Sequence, residues 1–273
     1  MSELPSISII MPALNQSRFI EEAIRSVINQ MYPKLEFLII DGGSVDGTLD
    51  IIRKYADRVH YTSEPDFGLN HAVNKGLLEA TGDFIGWLNA DDTYELGALH
   101  TVGRYLRERP EVDVLYGEGG KIDENGRLIG FHAEPYDRAR LFYHRDFIPT
   151  QSCFFRRVCL ARVGLLDTAL RWNGDWDLWR RFAKHYKIHH IDAHLGNWRV
   201  YQGTLSYGPN VDHLAKSLET IGSARAHSGR LITPIELRIW PWILIDLFSL
   251  RPFLRKVRAW LLRARASGKP GCG

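Results

Sequence analysis

Short apolar runs alternate with amphipathic stretches through the first 110 residues of the chain. The runs are rich in β-branched residues and stop at polar or glycine-containing segments, which is typical of buried strands. Between them, apolar residues recur every three or four positions, which indicates helices. The predicted strands are residues 7–11, ended by Pro12, then 37–40, 59–62 and 84–88, and the predicted helices are residues 20–28, with Ser17 as N-cap, 48–55 and 69–80.

This alternation predicts an α/β fold in which a mostly parallel sheet carries helices on both faces. Ligands of such sheets bind beyond the carboxyl ends of the strands, where this chain has polar or glycine-containing segments. Those segments are residues 12–17, 41–47, 63–68 and 89–93.

The second part of the chain mixes strand and helix patterns, and its last part is basic and helical. The predicted strands there are residues 112–116, 151–155, 188–191 and 197–201, with a turn at Asn125 and Gly126 and a helix that ends near residue 186. We therefore predict one domain over residues 1–228, with halves 1–110 and 111–228, and a helical tail over residues 229–273.

The composition is typical of globular proteins, because 45% of the 273 residues are hydrophobic and 25% are charged. This balance excludes disorder, collagen-like repeats and coiled coils. Three cysteines, an odd count, and an N-terminus without a signal-peptide pattern favour a reducing cytoplasm. The longest apolar stretch, residues 239–250, contains Pro241 and Asp246 and is shorter than the roughly 20 residues of a spanning helix, so we expect none.

Residues 41–48 join the second predicted strand to a helix and contain three glycines. Glycines let a backbone approach a ligand closely, and the Asp41 carboxylate can accept hydrogen bonds from a base or a ribose hydroxyl. The alternative is an ordinary turn in which Asp46 caps the helix. The segment matches neither a Walker loop nor the Gly-x-Gly-x-x-Gly of dinucleotide sites, which disfavours nicotinamide chemistry.

Asn89, Asp91 and Asp92 follow the fourth predicted strand directly. Carboxylate and amide oxygens are the ligands that Mg²⁺ and Mn²⁺ prefer, and the strand delivers them to the predicted cleft. The alternative is that Asp92 caps a helix before Leu96.

Asp175 lies among tryptophans, between Trp172 and Trp176. A neighbouring indole lowers the local polarity and raises the pKa of a carboxyl group, as a general base near neutral pH requires. The alternative is an amphipathic helix with its aromatic side chains in the core. The two interpretations are compatible, because the core assignment concerns the aromatic residues and not Asp175.

Five segments of the chain resemble, in order and spacing, the family 2 glycosyltransferases, which have the GT-A fold. The segments are residues 8–30, 35–48, 64–92, 151–157 and 174–181, within a likeness that covers residues 6–206. The resemblance implies an inverting enzyme that moves a hexosyl or deoxyhexosyl group from a UDP-, dTDP- or GDP-linked donor to a glycan or glycolipid acceptor. It makes residues 1–110 the donor-binding half and residues 111–228 the acceptor-binding half.

The resemblance also assigns roles to single positions. It implies that Asp91 is the ligand of Mn²⁺ or Mg²⁺ in an Asp-x-Asp motif and that Asp175 is the catalytic base. The implied donor contacts are Pro12, Ala13, Asn15, Asp41, Asn74, Lys75, Asn89, Ala90 and Asp91, and the acceptor-side candidates are Trp172, Trp176 and Gln151.

Four positions depart from the pattern of the family. Asn89 replaces the first acid of the metal motif, and Gly174 replaces a glutamate beside the base, which makes Asp177 a weak rival. Thr150 and Tyr201 stand where histidines are frequent, so a histidine contact to the metal is not expected. The Gln-x-x-Arg-Trp signature of processive synthases is absent, which favours transfer of a single sugar.

Two other functions stay open on the sequence. Asn89 and Gly174 also suit a non-catalytic subunit that binds a nucleotide sugar or organises a membrane glycan-assembly complex. A nucleotidyltransferase would share the sheet, but residues 12–18 lack its glycine-rich basic loop.

The formal net charge of +3 hides a basic tail. Residues 229–273 hold nine Lys or Arg and two acids, which gives +7 and leaves −4 for the first 228 residues. From Phe253 to Arg265, apolar side chains share one helical face and basic ones the other, which is typical of a helix on an anionic membrane. The predicted membrane surface covers residues 236–265. We predict a peripheral protein of the cytoplasmic membrane face, with a helix packed on the core as the alternative, and no nucleic-acid binding.

Overall fold

The computed structural model describes residues 3–132, 134–204 and 213–228. Within these residues, nine strands form one sheet. The strands are β1 (Ile7–Ala13), β2 (Leu35–Asp41), β3 (His60–Ser63), β4 (Phe84–Trp87), β5 (Thr93–Tyr94), β6 (Val114–Ile122), β7 (Leu128–His132), β8 (Cys153–Arg156) and β9 (Ile188–Arg199). The helices are α1 (Ile20–Ile28), α2 (Thr48–Arg53), α3 (Leu69–Glu79), α4 (Ala98–Glu108), α5 (Arg138–Tyr143), α6 (Leu160–Val163), α7 (Gly174–His185) and α8 (His213–Ser228), with 3₁₀ turns at Thr150–Ser152 and Arg157–Cys159.

The strand order is β3-β2-β1-β4-β8-β6-β9-β5, and β7 pairs with β6 outside this path. β1, β2, β3 and β4 are mutually parallel. β8 is antiparallel to both β4 and β6, so β6 and its parallel partner β9 run in the direction of the first four strands. The α/β fold predicted from the sequence is confirmed, with antiparallel pairs in the second half.

Helices cover both faces of the sheet around β1, whose seven residues are all buried. Ile7, Ile9 and Met11 belong to the core cluster that also contains the apolar faces of α1 and α4. Ile10 points to the other face and contacts Gly76 of α3. A Cβ at Gly76 would lie 2.5 Å from Ile10 Cγ2, so α3 approaches the sheet this closely because the position is glycine.

The first strand does not end at Pro12, as predicted, but continues to Ala13. The carbonyl of Ile10 accepts a hydrogen bond from the Leu88 N–H on the β4 side, and Pro12, two residues later, points the same way. β4 pairs with β1 only as far as Ile10, so the missing N–H of Pro12 leaves no ladder bond unmade. Pro12 and Ala13 therefore reach the edge of the sheet within a regular strand.

Two further predicted boundaries differ from the structure. Ser17 is not the N-cap of α1, which begins at Ile20 without a side-chain cap. The Ser17 N–H instead donates to Asp46 (3.0 Å) and ties this loop to the one after β2. The two extended pieces predicted after residue 187 form the single strand β9, because it pairs with both β6 and β5.

The chain divides into two compact units, Met1–Val211 and Asp212–Gly273. Of the second unit, α8 is the described part, so the tail predicted over residues 229–273 lies outside the described residues. Among the residues that the structure describes, no helix is both long and apolar enough to cross a membrane.

Candidate active site

A cavity of about 1110 Å³ opens beyond the carboxyl ends of β1 and β4. Pro12 and Ala13 of β1, residues 89–92 after β4, and Asp175 of α7 all line it. The remaining wall includes side chains of β6, β7 and β9. This is the edge of the sheet at which parallel strands are expected to place a ligand.

Asn89 and Asp92 hold each other in the loop after β4. Asn89 Nδ2 donates to Asp92 Oδ2 (3.1 Å), and Asn89 Oδ1 accepts from Trp87 Nε1 (2.9 Å). Asp92 Oδ1 accepts from the backbone N–H of Arg199 (2.9 Å). The alternative in which Asp92 caps a helix is wrong, because the next helix, α4, begins only at Ala98.

The Arg199 guanidinium ties three chain segments together from the interior, with 1% of its side chain exposed. Its Nε donates to the Asp91 carbonyl (2.9 Å) and its Nη2 to Glu22 of α1 (2.7 Å). Its Nη1 donates to the Asp123 carbonyl in the β6–β7 turn (3.2 Å), and the group lies 4.8 Å above the Phe19 ring. A buried charge needs such partners, so Arg199 fixes the loop that carries Asp91.

Asp91 faces the cavity beside Tyr201. The Tyr201 hydroxyl donates to Asp91 Oδ2 (3.2 Å). Tyr201 is one of the two positions at which the sequence analysis noted the loss of a frequent histidine. Burial raises the pKa of Asp91, and the contacts with Tyr201 and Arg199 oppose this shift. Burial and the Asp91 charge raise the pKa of Tyr201 to about 12, so its phenol keeps its proton near neutral pH.

The surroundings of Asp91 fit a divalent cation. Asp92 lies next to Asp91, and burial together with the Asp91 charge raises the pKa of Asp92 well above its usual range. A cation would offset this concentration of negative charge. One or two carboxylates plus the phosphate oxygens of a substrate are a common ligand set for Mg²⁺, so Asp91 is the residue that could hold Mg²⁺ or Mn²⁺.

Glu118, His190 and Asp192 form a separate group whose ligand atoms lie within 4.8 Å of one another. None of these three residues lines the cavity. The group is therefore distinct from the position of Asp91.

Asp175 lies in the first turn of α7 and faces the cavity. Thr150 Oγ1 donates to Asp175 Oδ2 (2.7 Å), and the Trp176 backbone N–H donates to Oδ1 (2.8 Å). A donor therefore orients each of the two carboxylate oxygens. Asp177, the rival acid, forms an ion pair with Arg181 (2.8 Å) and does not line the cavity.

Asp146 is a second acid at this end of the cavity, and the sequence analysis missed it. Its Oδ1 accepts from the Ile148 N–H (3.1 Å). Burial and the charge of Asp175 raise its pKa, while Arg180 opposes the shift. Arg180 is fully buried against the Trp176 ring, 3.8 Å from its centre. No motif surrounds Asp146, so only the fold reveals that it neighbours Asp175.

Asp41 and Asn15, two predicted donor contacts, shape the loops beside the cavity and do not line it. Asp41 is fully buried and accepts hydrogen bonds from the hydroxyls of Ser44 and Ser63, the latter at 2.6 Å. Asn15 Oδ1 accepts from the Val45 N–H (2.9 Å), and Asn15 has a φ of +51°, which asparagine tolerates better than most residues.

Asn74, Lys75 and Trp176 also lie outside the cavity wall. The Asn74 amide exchanges two hydrogen bonds with the backbone of Leu166, both 2.9 Å. Lys75 pairs with Glu64 (2.7 Å). Trp176 is buried, and its Nε1 donates to a carbonyl of α5 (2.8 Å).

Gln151 and Trp172, the other acceptor-side candidates, do line the cavity. Gln151 is 3% exposed, and its Nε2 has no hydrogen-bond partner within the described part of the chain. Lys121, His132 and Trp198 line the cavity as well, and the sequence analysis missed all three. The sequence around these three residues contains no motif that would mark them as functional. Their side chains meet only because β6, β7 and β9 are neighbours in the sheet.

Gly174 leaves room for Asn70, which accounts for the absence of a larger residue there. A Cβ on Gly174 would collide with the Asn70 amide. Asn70 uses this position to donate to the carbonyls of Asp167 (2.9 Å) and Leu170 (2.8 Å). It thereby holds the loop before α7, from which Trp172 reaches the cavity.

The family model described as "Glycosyl transferase family 2" matches residues 8–164 of the chain. A "PGL/p-HBAD biosynthesis glycosyltransferase" of Mycobacterium bovis (strain BCG / Pasteur 1173P2) is 33% identical over 178 residues. The matched region covers 63% of this chain and 68% of that relative.

The solved structures that are similar to this chain include two complexes with nucleotide sugars. S. aureus TarS 1–349 in complex with UDP-GlcNAc has a TM-score of 0.67 at 19% identity, over 89% of this chain and 73% of that one. Mannosyltransferase PcManGT from Pyrobaculum calidifontis in complex with GDP-Man and Mn²⁺ has a TM-score of 0.64 at 20% identity, over 98% and 77%. The chain covers 37% of a longer TarS structure. At these identities the likeness establishes the fold alone.

We expect Asp146→Asn to stabilise the protein more at pH 8 than at pH 5. An acid whose pKa is raised in the folded state adds stability below its unfolded pKa of about 3.9 and loses it as the pH rises through the folded value. The amide bears no charge, so the variant escapes this loss. Urea unfolding at both pH values measures the difference, with the exposed Asp57→Asn as control. The same pH response in both variants would contradict the raised pKa.

Proposed function

Because the chain belongs to glycosyl transferase family 2 and has the GT-A fold, we propose that it is an inverting, non-processive glycosyltransferase acting on a nucleotide-sugar donor. The observation that carries this proposal is that Asp91 and Asp175 face one cavity from two different elements, the loop after β4 and the start of α7. In this proposal, Asp91 serves the diphosphate of the donor and Asp175 serves the hydroxyl of the acceptor.

Asp175 is the general base in this mechanism. Thr150 and the Trp176 N–H each hold one of its oxygens, and Asp175 lines the cavity. As the acceptor oxygen attacks the anomeric carbon, its proton passes to Asp175 and a new C–O bond forms. The bond to the nucleoside diphosphate breaks on the opposite face, so the configuration at that carbon is inverted.

Asp91 is the proposed metal ligand. A bound Mn²⁺ or Mg²⁺ would stabilise the negative charge of the departing nucleoside diphosphate. Arg199 holds the Asp91 backbone, and Tyr201 donates to its carboxylate, so the acid is fixed before any ligand arrives. The solved PcManGT complex, which contains GDP-Man and Mn²⁺, supports the choice of metal.

The proposed donor is a UDP-, dTDP- or GDP-linked hexose or deoxyhexose. The UDP-GlcNAc bound to TarS and the GDP-Man bound to PcManGT support this class of ligand. The end of β1 and the loop after β4 would contact the donor directly. Asp41, Asn15, Asn74 and Lys75 would act by holding the neighbouring loops, since their side chains already have partners there.

The proposed acceptor is a lipid-linked or cell-surface glycan precursor. Two observations support it: the mycobacterial relative is a biosynthetic glycosyltransferase, and residues 236–265 have the pattern of a basic interfacial helix. These residues lie outside the described part of the chain. The tail would hold the enzyme on the cytoplasmic face of the membrane.

A non-catalytic subunit is the alternative that Asn89 and Gly174 suggested. Asn89 braces Asp92, and Gly174 makes room for Asn70, so each departure has a structural role. Neither one removes Asp91 or Asp175 from the cavity. These contacts support catalysis over binding alone.

Asp175→Asn should reduce sugar transfer by about 10²- to 10⁴-fold, the contribution of a general base. The amide oxygen still accepts a hydrogen bond from Thr150, so the fold and donor binding should persist. Asp177→Asn, which changes the neighbouring acid of the same helix, is the matched control and should keep its transfer rate. Steady-state rates decide, and undiminished transfer by folded Asp175→Asn would exclude Asp175 as the base.

Nucleotide sugars of one base type should raise the melting temperature of the protein, because a ligand stabilises the folded state to which it binds. Mn²⁺ should make this increase larger. Asp91→Asn should lose the Mn²⁺-dependent part of the rise. A thermal-shift screen of UDP-, GDP- and dTDP-sugars with Mn²⁺ or EDTA measures both effects. A Mn²⁺ effect that survives in Asp91→Asn would place the metal elsewhere, with Glu118, His190 and Asp192 as the next residues to substitute.

The full chain should float with vesicles that contain anionic lipid, and a chain ending at residue 228 should not. Each basic residue near such a surface contributes about 1 kcal/mol of attraction, which the shorter chain loses. Flotation with phosphatidylcholine vesicles, alone and mixed with phosphatidylserine, measures the effect, and the uncharged vesicles are the control. Equal flotation of both chains would contradict the proposal that the tail binds the membrane.

A further inference from the structure

We propose that Trp198, Lys121 and His132 form an acceptor subsite that selects a sugar carrying an anionic group, either a carboxylate or a phosphate. The proposal rests on the proposed function, because Asp175 as the base assigns the adjacent wall of the cavity to the acceptor. It adds a substrate class that neither the family nor the solved structures specify.

The three side chains share one face of the sheet. Lys121 of β6 is in register with Trp198 of β9 and with Gly130 of β7, and paired residues point to the same side. His132 follows Gly130 by two residues on β7 and therefore points to that side as well. All three side chains are half-buried and line the cavity.

This face adjoins the proposed base. Gly119, which shares the face of β6, packs against the next part of the wall, since a Cβ there would lie 2.9 Å from Pro149 and 3.0 Å from Gln151. Thr150, between those two residues, donates to Asp175 (2.7 Å). A sugar resting on the face can thus bring a hydroxyl to Asp175.

Gly130 leaves the space next to Lys121 open. Among the described residues, a Cβ at Gly130 would meet only Lys121 Cβ, at 3.9 Å. Trp198, on the other side of Lys121, supplies a flat apolar surface for the C–H face of a pyranose. His132 braces the indole, because its Nε2 donates to the Phe147 carbonyl (2.8 Å) and its ring meets Trp198 edge-on at 6.1 Å.

Lys121 gives the subsite its charge preference. Arg199 cannot serve an acceptor in this way, because its guanidinium is enclosed by Glu22 and backbone carbonyls. Arg171, which precedes Trp172, is the remaining Lys or Arg among the described residues that line the cavity. An ammonium group beside a sugar platform therefore favours an acidic sugar over its neutral counterpart.

Binding of the full chain, loaded with UDP and Mn²⁺, to arrayed glycans tests this subsite. The array carries matched neutral, carboxylate-bearing and phosphate-bearing sugars, so that its arms identify the anion. We expect at least tenfold stronger retention on one acidic sugar than on its neutral match. Lys121→Gln should remove that preference, and Trp198→Ala should weaken binding to acidic and neutral sugars alike. Lys187→Gln, at an exposed lysine before β9, is the matched control and should bind like the wild type.

Three outcomes overturn the proposal. The first is no retention of any acidic sugar by protein that binds UDP, or a preference for neutral sugars. The second is an acidic preference that survives Lys121→Gln or depends instead on Arg171, the cation before Trp172. The third is a loss of UDP affinity in Lys121→Gln, which would assign Lys121 to the donor. Failure of the proposed function is distinguishable, because it would show as absent nucleotide-sugar binding or as intact transfer by Asp175→Asn.

Discussion

A single buried guanidinium holds the candidate active site together. Arg199 reaches the loop after β4, helix α1 and the β6–β7 turn, and each provides an oxygen that its charge requires. Removing one partner from a buried charge costs about 3–5 kcal/mol, so Arg199 stabilises these segments against one another. Because one of them carries Asp91, contacts between segments that are distant in the chain fix the position of the proposed metal ligand.

The walls of the cavity differ because β8, which is antiparallel to its neighbours, separates the first four parallel strands from β6 and β9. On one side, parallel strands end at loops, and these loops present backbone and carboxylate groups around Asp91. On the other side, β6 and β9 present side chains from a broad sheet face. Loops adapt to a nucleotide, whereas a flat face with an indole suits a sugar ring. In the proposed function, the loop side would therefore take the nucleotide and the sheet face the acceptor sugar.

The elements of the first half could be predicted because apolar periodicity is local and both faces of the parallel sheet are buried. Boundaries were less predictable: Pro12 stays within β1 only because β4 ends early, which no local pattern reveals. The residues of the site divide in the same way, into those that a local motif marks and those that only the fold brings together. Asp91 and Asp175 stand in recognisable motifs, and their roles stay predictions. Asp146 and Trp198 acquire meaning only through neighbours brought by strand order, so sequence reasoning could not find them.

The contact between Asn70 and Gly174 has an evolutionary consequence. The two residues are far apart in the chain but compete for one volume, so a larger residue at 174 is excluded while Asn70 holds the carbonyls of Asp167 and Leu170. Substitutions at these two positions are therefore expected to be coupled, because a larger residue at 174 requires the Asn70 side chain to move. Exchanging either residue with a relative's, one at a time, would misjudge what that residue does.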